Sequence, residues 1–191
     1  MTDNSPMTSG KFLRSLRRKP IHNKVRNKTC NTIRNKARIA ITVMLLLTGA
    51  PVLADNIQPF DTSTFASIKA DYAGKPFLVS LWSIDCPPCL VELDLLGKLV
   101  AANPHFPLVL ISTDPIDKLE ESRFLLEDYG LSDTKSWIFA DAFVERLRYT
   151  IDPQWYGELP RSYFYADSHQ FTAHSGTLNE EMLNEFAESL K

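Results

Sequence analysis

The pattern of apolar and polar positions divides the chain into short blocks. Pro76 to Trp82 (PFLVSLW) is an apolar run rich in β-forming residues, with Gly74 and Lys75 ahead of it. That composition predicts a fully buried central strand. From Leu90 to Ala102 the apolar residues Leu90, Val91, Leu93, Leu95, Leu96, Leu99 and Val100 recur at helical spacing, and Asn103-Pro104 ends the block. Phe106 to Ser112 predicts a second strand turned by Asp114-Pro115, and Asp117 to Tyr129 a helix ended by Gly130. Ser136 to Ala140 reads as a short strand and Asp141 to Ile151 as a helix. Ser162 to Ala166 and Gln170 to His174 read as a hairpin turning at Asp167-Ser168, and Thr177 to Leu190 as a closing amphipathic helix. Ahead of the central strand, Asp55 to Asp61 reads as a loose lead-in and Thr62 to Tyr72 as a weakly amphipathic helix after a Thr/Ser cap. Strands alternating with helices, then a hairpin and a helix, predict the α/β class with a central mixed sheet flanked by helices.

Between the central strand and the following helix stand Cys86-Pro87-Pro88-Cys89. A thiolate is the nucleophile in disulfide exchange, and the free N–H groups and positive end of a helix N-terminus stabilise it. Two intervening residues let the cysteines close a small ring within one turn. Pro87 fits the first helical turn, where a missing N–H costs nothing. In such a pair the N-terminal Cys86 attacks, and Cys89 resolves the mixed disulfide from a more buried position. The competing readings are a static disulfide and half of a zinc site. Zinc needs four ligands, and the chain has no second CxxC and no His-x-His pair. The expected chemistry is therefore redox, with no metal.

Charge separates the chain at Ala54. Residues 1–54 carry 11 Lys/Arg and one acid; residues 55–191 carry 10 Lys/Arg and 22 acids. The basic part ends in Arg34-Asn-Lys-Ala-Arg38 and runs into the apolar stretch Ile39 to Leu47, followed by Gly49, Pro51 and Val52-Leu53-Ala54. A basic segment, a short apolar stretch and small residues form the layout of a secretory signal peptide, cleaved here after Ala54. The stretch from Ile39 to Leu53 has 15 residues and contains Pro51, short for a membrane span. The alternative is an uncleaved anchor. The basic segment is long for a signal peptide, as an upstream start codon would make it, and Arg17-Arg18 lies too far from the apolar stretch for a twin-arginine signal. The division expected is 1–54 for export and 55–191 for the folded domain. Cys30 leaves with the first part, so the exported chain keeps only the Cys86/Cys89 pair, as suits a redox protein in an oxidising compartment. A net charge of −12 on residues 55–191 argues against a nucleic-acid partner.

These residues resemble the thioredoxin superfamily, most closely the exported TlpA/ResA-like thiol–disulfide proteins. The likeness covers about Gly74 to Leu190 and rests on four features: the strand with Trp82 ahead of Cys86-Pro-Pro-Cys89; Glu92, three residues after Cys89; Gly157-Glu-Leu-Pro160-Arg-Ser-Tyr-Phe; and His174-Ser-Gly176-Thr-Leu-Asn-Glu-Glu-Met182. The resemblance implies a thioredoxin-like fold and a cis bond before Pro160, exposing the backbone of Leu159 for pairing with an extended substrate. It also implies reduction or exchange of protein disulfides in the periplasm, often in cytochrome c maturation or upkeep of copper-site cysteines. The partners would then be thiol proteins such as apocytochrome c or copper-site proteins, with a membrane electron donor behind them. No cofactor is expected beyond the Cys86–Cys89 disulfide itself.

Individual residues carry competing readings. Glu92 lies on the same helical face as Cys89 and is placed to exchange the Cys89 proton, or else merely favours the helix dipole. Trp82 and Trp155 are core or rim aromatics, with substrate contact as the alternative for both. Asp85 stands where relatives commonly have Trp. Its carboxylate either disfavours the Cys86 thiolate, making the dithiol a stronger reductant, or faces solvent or caps the helix. Leu93-Asp94 replaces a proline that many relatives carry after the acid. The leading function is a reductase. Alternatives are a disulfide-forming oxidant and a copper chaperone, the latter disfavoured by Met182 being the one Met beyond residue 54 and by the unpatterned His105, His169 and His174.

Overall fold

The strand that leads to the cysteines is β2, Phe77–Trp82, and every one of its residues is buried. In the computed structural model, which describes residues 57–190, it lies inside a six-stranded sheet. Its companions are β1 (Ile57–Phe60), β3 (Leu108–Pro115), β4 (Lys135–Phe139), β5 (Arg161–Tyr165) and β6 (Phe171–Ser175). The order across the sheet is β1-β4-β3-β2-β5-β6. The first four are mutually parallel; β5 and β6 run antiparallel to their neighbours. The predicted α/β class with a mixed sheet is thus found. The proposed signal segment, its cleavage at Ala54 and Cys30 lie outside the described residues.

Five helices cover the two faces: α1 (Thr64–Asp71), α2 (Pro87–Ala102), α3 (Leu119–Asp128), α4 (Val144–Ile151) and α5 (Glu180–Ser189). Alternation along β2 explains the two cores. Leu78 and Trp82 face the side packed by Leu93 and Leu96 of α2, Leu126 of α3 and Leu183 of α5. Phe77, Val79 and Leu81 face the side packed by Phe65 and Ile68 of α1 and Leu147 and Ile151 of α4. A β2 buried on both sides is why its sequence reads as a continuous apolar run. Gly97 of α2 sits against the backbone oxygen of Tyr129, at the end of α3, with no room for a Cβ.

Four expectations need correcting. The lead-in Asp55 to Asp61 contains β1, paired with β4 at the sheet edge, where Pro59 is tolerated because one side of the strand needs no ladder. Asp114-Pro115 does not turn the chain: β3 continues to Pro115, with a register shift between Ser112 and Pro115. The helix expected over Asp117 to Tyr129 is α3, but its start is replaced by a 3-10 turn, Ile116–Lys118. The remaining elements fall where the periodicity put them, with ends displaced by a few residues. The cap of α1 also differs, since Asp61 rather than Thr or Ser accepts the free N–H groups, with Ser63 N at 2.8 Å and Thr64 N at 3.0 Å. Among the described residues no helix is long and apolar enough to cross a membrane.

Candidate active site

Helix α2 begins directly after Cys86, which is its N-cap residue, and Pro87 and Pro88 occupy the first helical positions. Both prolines suit this place because the first N–H groups of a helix have no partner within it. Cys86 and Cys89 are joined in a disulfide. The carbonyl of Cys86 accepts from Cys89 N at 2.9 Å and Leu90 N at 3.3 Å, so the ring is part of the first turn. The two sulfur-bearing residues differ in environment. Cys86 is half-buried, whereas Cys89 is 0% exposed and belongs to the core beneath α2.

Glu92, one turn beyond Cys89, is 1% exposed. Its Oε1 accepts from Ser80 Oγ at 2.7 Å and Ser162 Oγ at 3.2 Å, and its Oε2 accepts from Leu178 N at 2.9 Å. Ser80 and Ser162 are direct cross-strand partners in β2 and β5, and their hydroxyls converge on one oxygen. Burial pushes the Glu92 carboxyl above the ordinary carboxylate range. The Leu178 N–H, the two serine hydroxyls and the field of His174 partly offset this. Glu92 therefore does more than favour a helix end: it is a buried, titratable group inside the core that holds Cys89.

The loop between β2 and α2 is held from β3. Asp114, 8% exposed, accepts from Ser83 Oγ at 2.7 Å through Oδ1. Its Oδ2 accepts from Ile84 N at 2.9 Å and Ser112 Oγ at 2.7 Å. Thr113 Oγ1 adds a bond to Trp82 O at 3.3 Å. Sequence reasoning took Asp114 for a turn residue and missed this contact. The serines at 80, 83 and 112, polar interruptions in or beside apolar strands, were the available signal.

Leu159-Pro160 is cis, as the resemblance implied. The β2/β5 register places Arg161 opposite Leu81, so Pro160 comes at the end of β2 from which the chain runs to Cys86. Pro160 is buried and Leu159 half-buried; Leu159, like Cys86, packs against the core that holds Cys89. Arg161, also unanticipated, fastens the preceding loop: Nη1 donates to Ser175 Oγ at 2.6 Å and Glu158 Oε1 at 3.2 Å, and Nη2 to Asp152 Oδ2 at 3.4 Å. Trp155 is buried, its Nε1 donating to Glu158 O at 2.9 Å.

For two predicted residues the structure selects between the readings. Trp82 is 1% exposed and packs in the core with Leu78 and Leu93, the first of its two readings. Asp85 is exposed and makes no helix-capping bond, since the cap position belongs to Cys86. Its field acts on Lys118 of the neighbouring 3-10 turn. Among the described residues, no three His, Cys, Asp or Glu side chains are grouped to hold a metal ion.

No protein-family model matches the chain. Over 80 residues it is 35% identical to the soluble secreted antigen MPT53 of Mycobacterium tuberculosis, across 39% of this chain and 46% of the relative. The chain thus spans about half the length of the curated relatives it matches. Among solved structures, it is similar to a secreted Mycobacterium tuberculosis disulfide oxidoreductase homologous to Escherichia coli DsbE. That likeness has a TM-score of 0.50 and 23% identity, covering 63% of this chain and 86% of the other. A thiol:disulfide interchange protein, a thioredoxin family protein from Chlorobium tepidum, gives a TM-score of 0.48 at 19% identity, covering 64% of this chain and 83% of that one. The likeness to the mycobacterial structure shows the fold: a central mixed sheet flanked by helices, of the thioredoxin type.

Proposed function

We propose that the chain is a protein thiol–disulfide oxidoreductase, exported to the periplasm and working mainly as a reductase. The observation that carries this reading is the Cys86–Cys89 disulfide at the start of α2, one cysteine half-buried and the other wholly buried. A static structural disulfide has no use for a helix N-terminus; a nucleophilic thiol does, because the free N–H groups and the helix field favour the thiolate. The curated relative's description as secreted supports export, as does the signal-like layout of residues 1–54.

The exchange runs in two displacements. In the reduced chain the Cys86 thiolate attacks one sulfur of a substrate disulfide; the substrate S–S bond breaks and one substrate thiolate leaves. Cys89 then loses its proton and attacks the Cys86 sulfur, forming the intramolecular disulfide and releasing the second substrate thiol. Two electrons pass to the substrate, and a thiol donor must return them; no dissociable cofactor takes part. Glu92 is the acceptor for the Cys89 proton. A carboxyl raised by burial holds a proton better near neutral pH than an exposed one, and it sits one helical turn from Cys89. The Leu159 backbone ahead of Pro160 offers an edge to an extended substrate. Apocytochrome c and copper-site proteins are the substrate classes this reading favours, with a membrane protein as donor.

Equilibration of the Cys86/Cys89 pair with glutathione buffers tests the direction. A reductase predicts a reduction potential towards the thioredoxin end of the range, near about −270 mV, and an oxidant one near about −120 mV. Absence of any protein-disulfide exchange by the reduced chain would overturn the function itself.

A further inference from the structure

We propose that Asp114 is a positioning residue for the attacking thiol: its carboxylate sets the loop that aims Cys86. The inference rests on the proposed role of Cys86 and goes beyond it, because Asp114 touches neither cysteine in the contacts described.

The geometry begins with the irregularity in β3. Ser112 pairs with Ile138 of β4, yet the next pairing is Pro115 with Phe139, so Thr113 and Asp114 are extra residues in the strand. Such insertions re-aim side chains, and here Asp114 turns inward. Its amide donates to Ser112 Oγ at 3.1 Å while its carboxylate accepts from the same hydroxyl, which fixes the carboxylate in place. Its two other hydrogen bonds go to the loop before Cys86: Ser83 Oγ donates to Oδ1 and Ile84 N to Oδ2. Ser83 is then gripped at both ends, since its carbonyl accepts from Cys86 N at 3.3 Å. A chain of hydrogen bonds thus runs from the β3 bulge through Ser83 to the backbone of the residue that caps α2. Asp85 N adds a longer bond to Ser83 Oγ at 3.4 Å. Glu92 lies on α2 and shares no hydrogen-bond partner with Asp114.

Bonds to a carboxylate are the strong ones among neutral donors, and a buried carboxylate that loses its donors is costly. A loop tied this way presents Cys86 in one orientation relative to the helix end. Removing the tie should spread the Cys86 position, and misplacements of about 1 Å cost up to about 10²-fold in rate.

The test reads Cys86 alone, in the full chain with Cys30 and Cys89 replaced by alanine. The rate of attack on a small aromatic disulfide is measured across pH, giving a thiol midpoint and a limiting rate for the fully formed thiolate. Asp114→Ala should lower the limiting rate about tenfold, with Ser83→Ala showing a smaller loss and Ser83→Thr, which keeps the hydroxyl, restoring the parent rate. Melting temperature is followed in parallel, and all rates are taken well below it. Unchanged midpoint and limiting rate in both alanine variants, with only a lower melting temperature, would reduce Asp114 to a structural anchor and overturn the proposal. If Asp114→Ala does not fold, the Ser83→Ala and Ser83→Thr pair decides alone. A parent Cys86 reacting no faster than an unstructured thiol would instead remove the proposed function on which the inference stands.

Discussion

The two ends of the first turn of α2 are built differently, though each is served by a buried carboxylate. At the tip, Cys86 is partly open to solvent and is steadied from outside the helix, through Ser83 and Ile84 to Asp114. One turn in, Cys89 is closed off, and its neighbour Glu92 is bound by Ser80, Ser162 and Leu178 N from three separate elements. A sulfur that must meet another protein needs access and a fixed direction. A sulfur that must later be freed of its proton inside a core needs a local acceptor. On the proposed exchange one disulfide carries two tasks, each with its own buried carboxylate.

The largest effects come from the cysteines themselves. Cys89→Ala should accumulate mixed disulfides through Cys86, visible as reducible adducts on gels, because attack proceeds and resolution cannot. Cys86→Ala should trap almost nothing and lose exchange altogether. Equal trapping by both variants would erase the contrast between tip and interior.

Glu92→Gln sharpens the inner side. Loss of a general base typically costs about 10²-fold or more in rate, and here the loss should fall on resolution, read as slower decay of the mixed disulfide. The substitution also changes the pH dependence of stability. Burial raises the folded carboxyl above its unfolded value, so the native state holds that proton more tightly. Its contribution is greatest below the unfolded carboxyl pKa and declines as pH rises through the folded pKa. The stability lost between pH 4 and pH 7.5 should therefore be smaller in Glu92→Gln than in the parent, measured by urea unfolding at both values.

Ser80→Ala and Ser162→Ala should each cost about 1–3 kcal/mol, because each takes a donor from a buried carboxyl oxygen. Their combined effect should depart from the sum, because both hydroxyls reach one oxygen of Glu92. Strict additivity in a double-mutant unfolding cycle would mean that the two bonds do not act on a shared group.

The site was unevenly legible. The strand, the helix and the CxxC junction were plain because their signals are local: an apolar run, a 3.6-residue period and prolines placed for a helix start. Glu92 could be singled out by its spacing from Cys89, but its burial could not. Its partners come from β2, β5 and the segment before α5, brought together only by strand pairing. Asp114 was misread for a physical reason: Asp-Pro is a strong turn signal, and the bulge that overrides it depends on pairing with β4. Trp82, weighed between core and recognition, proved to be core because the alternation in β2 turns it under α2.

The smallest effect belongs to the tip. Asp85 is exposed, so Asp85→Asn should move the Cys86 thiol only slightly, towards easier ionisation. The shift should shrink as salt screens the charge over a Debye length of about 8–10 Å. A large, salt-insensitive shift would put the carboxylate beside the sulfur rather than in solvent.

The division of roles in the disulfide turns on which sulfur attacks. The direct test is to reduce the full chain, treat it with a limiting amount of thiol reagent near neutral pH and map the labelled peptides. The exposed helix tip predicts that Cys86 is labelled well ahead of Cys89. Labelling of Cys89 first, or of both at the same rate, would contradict the division of roles between them.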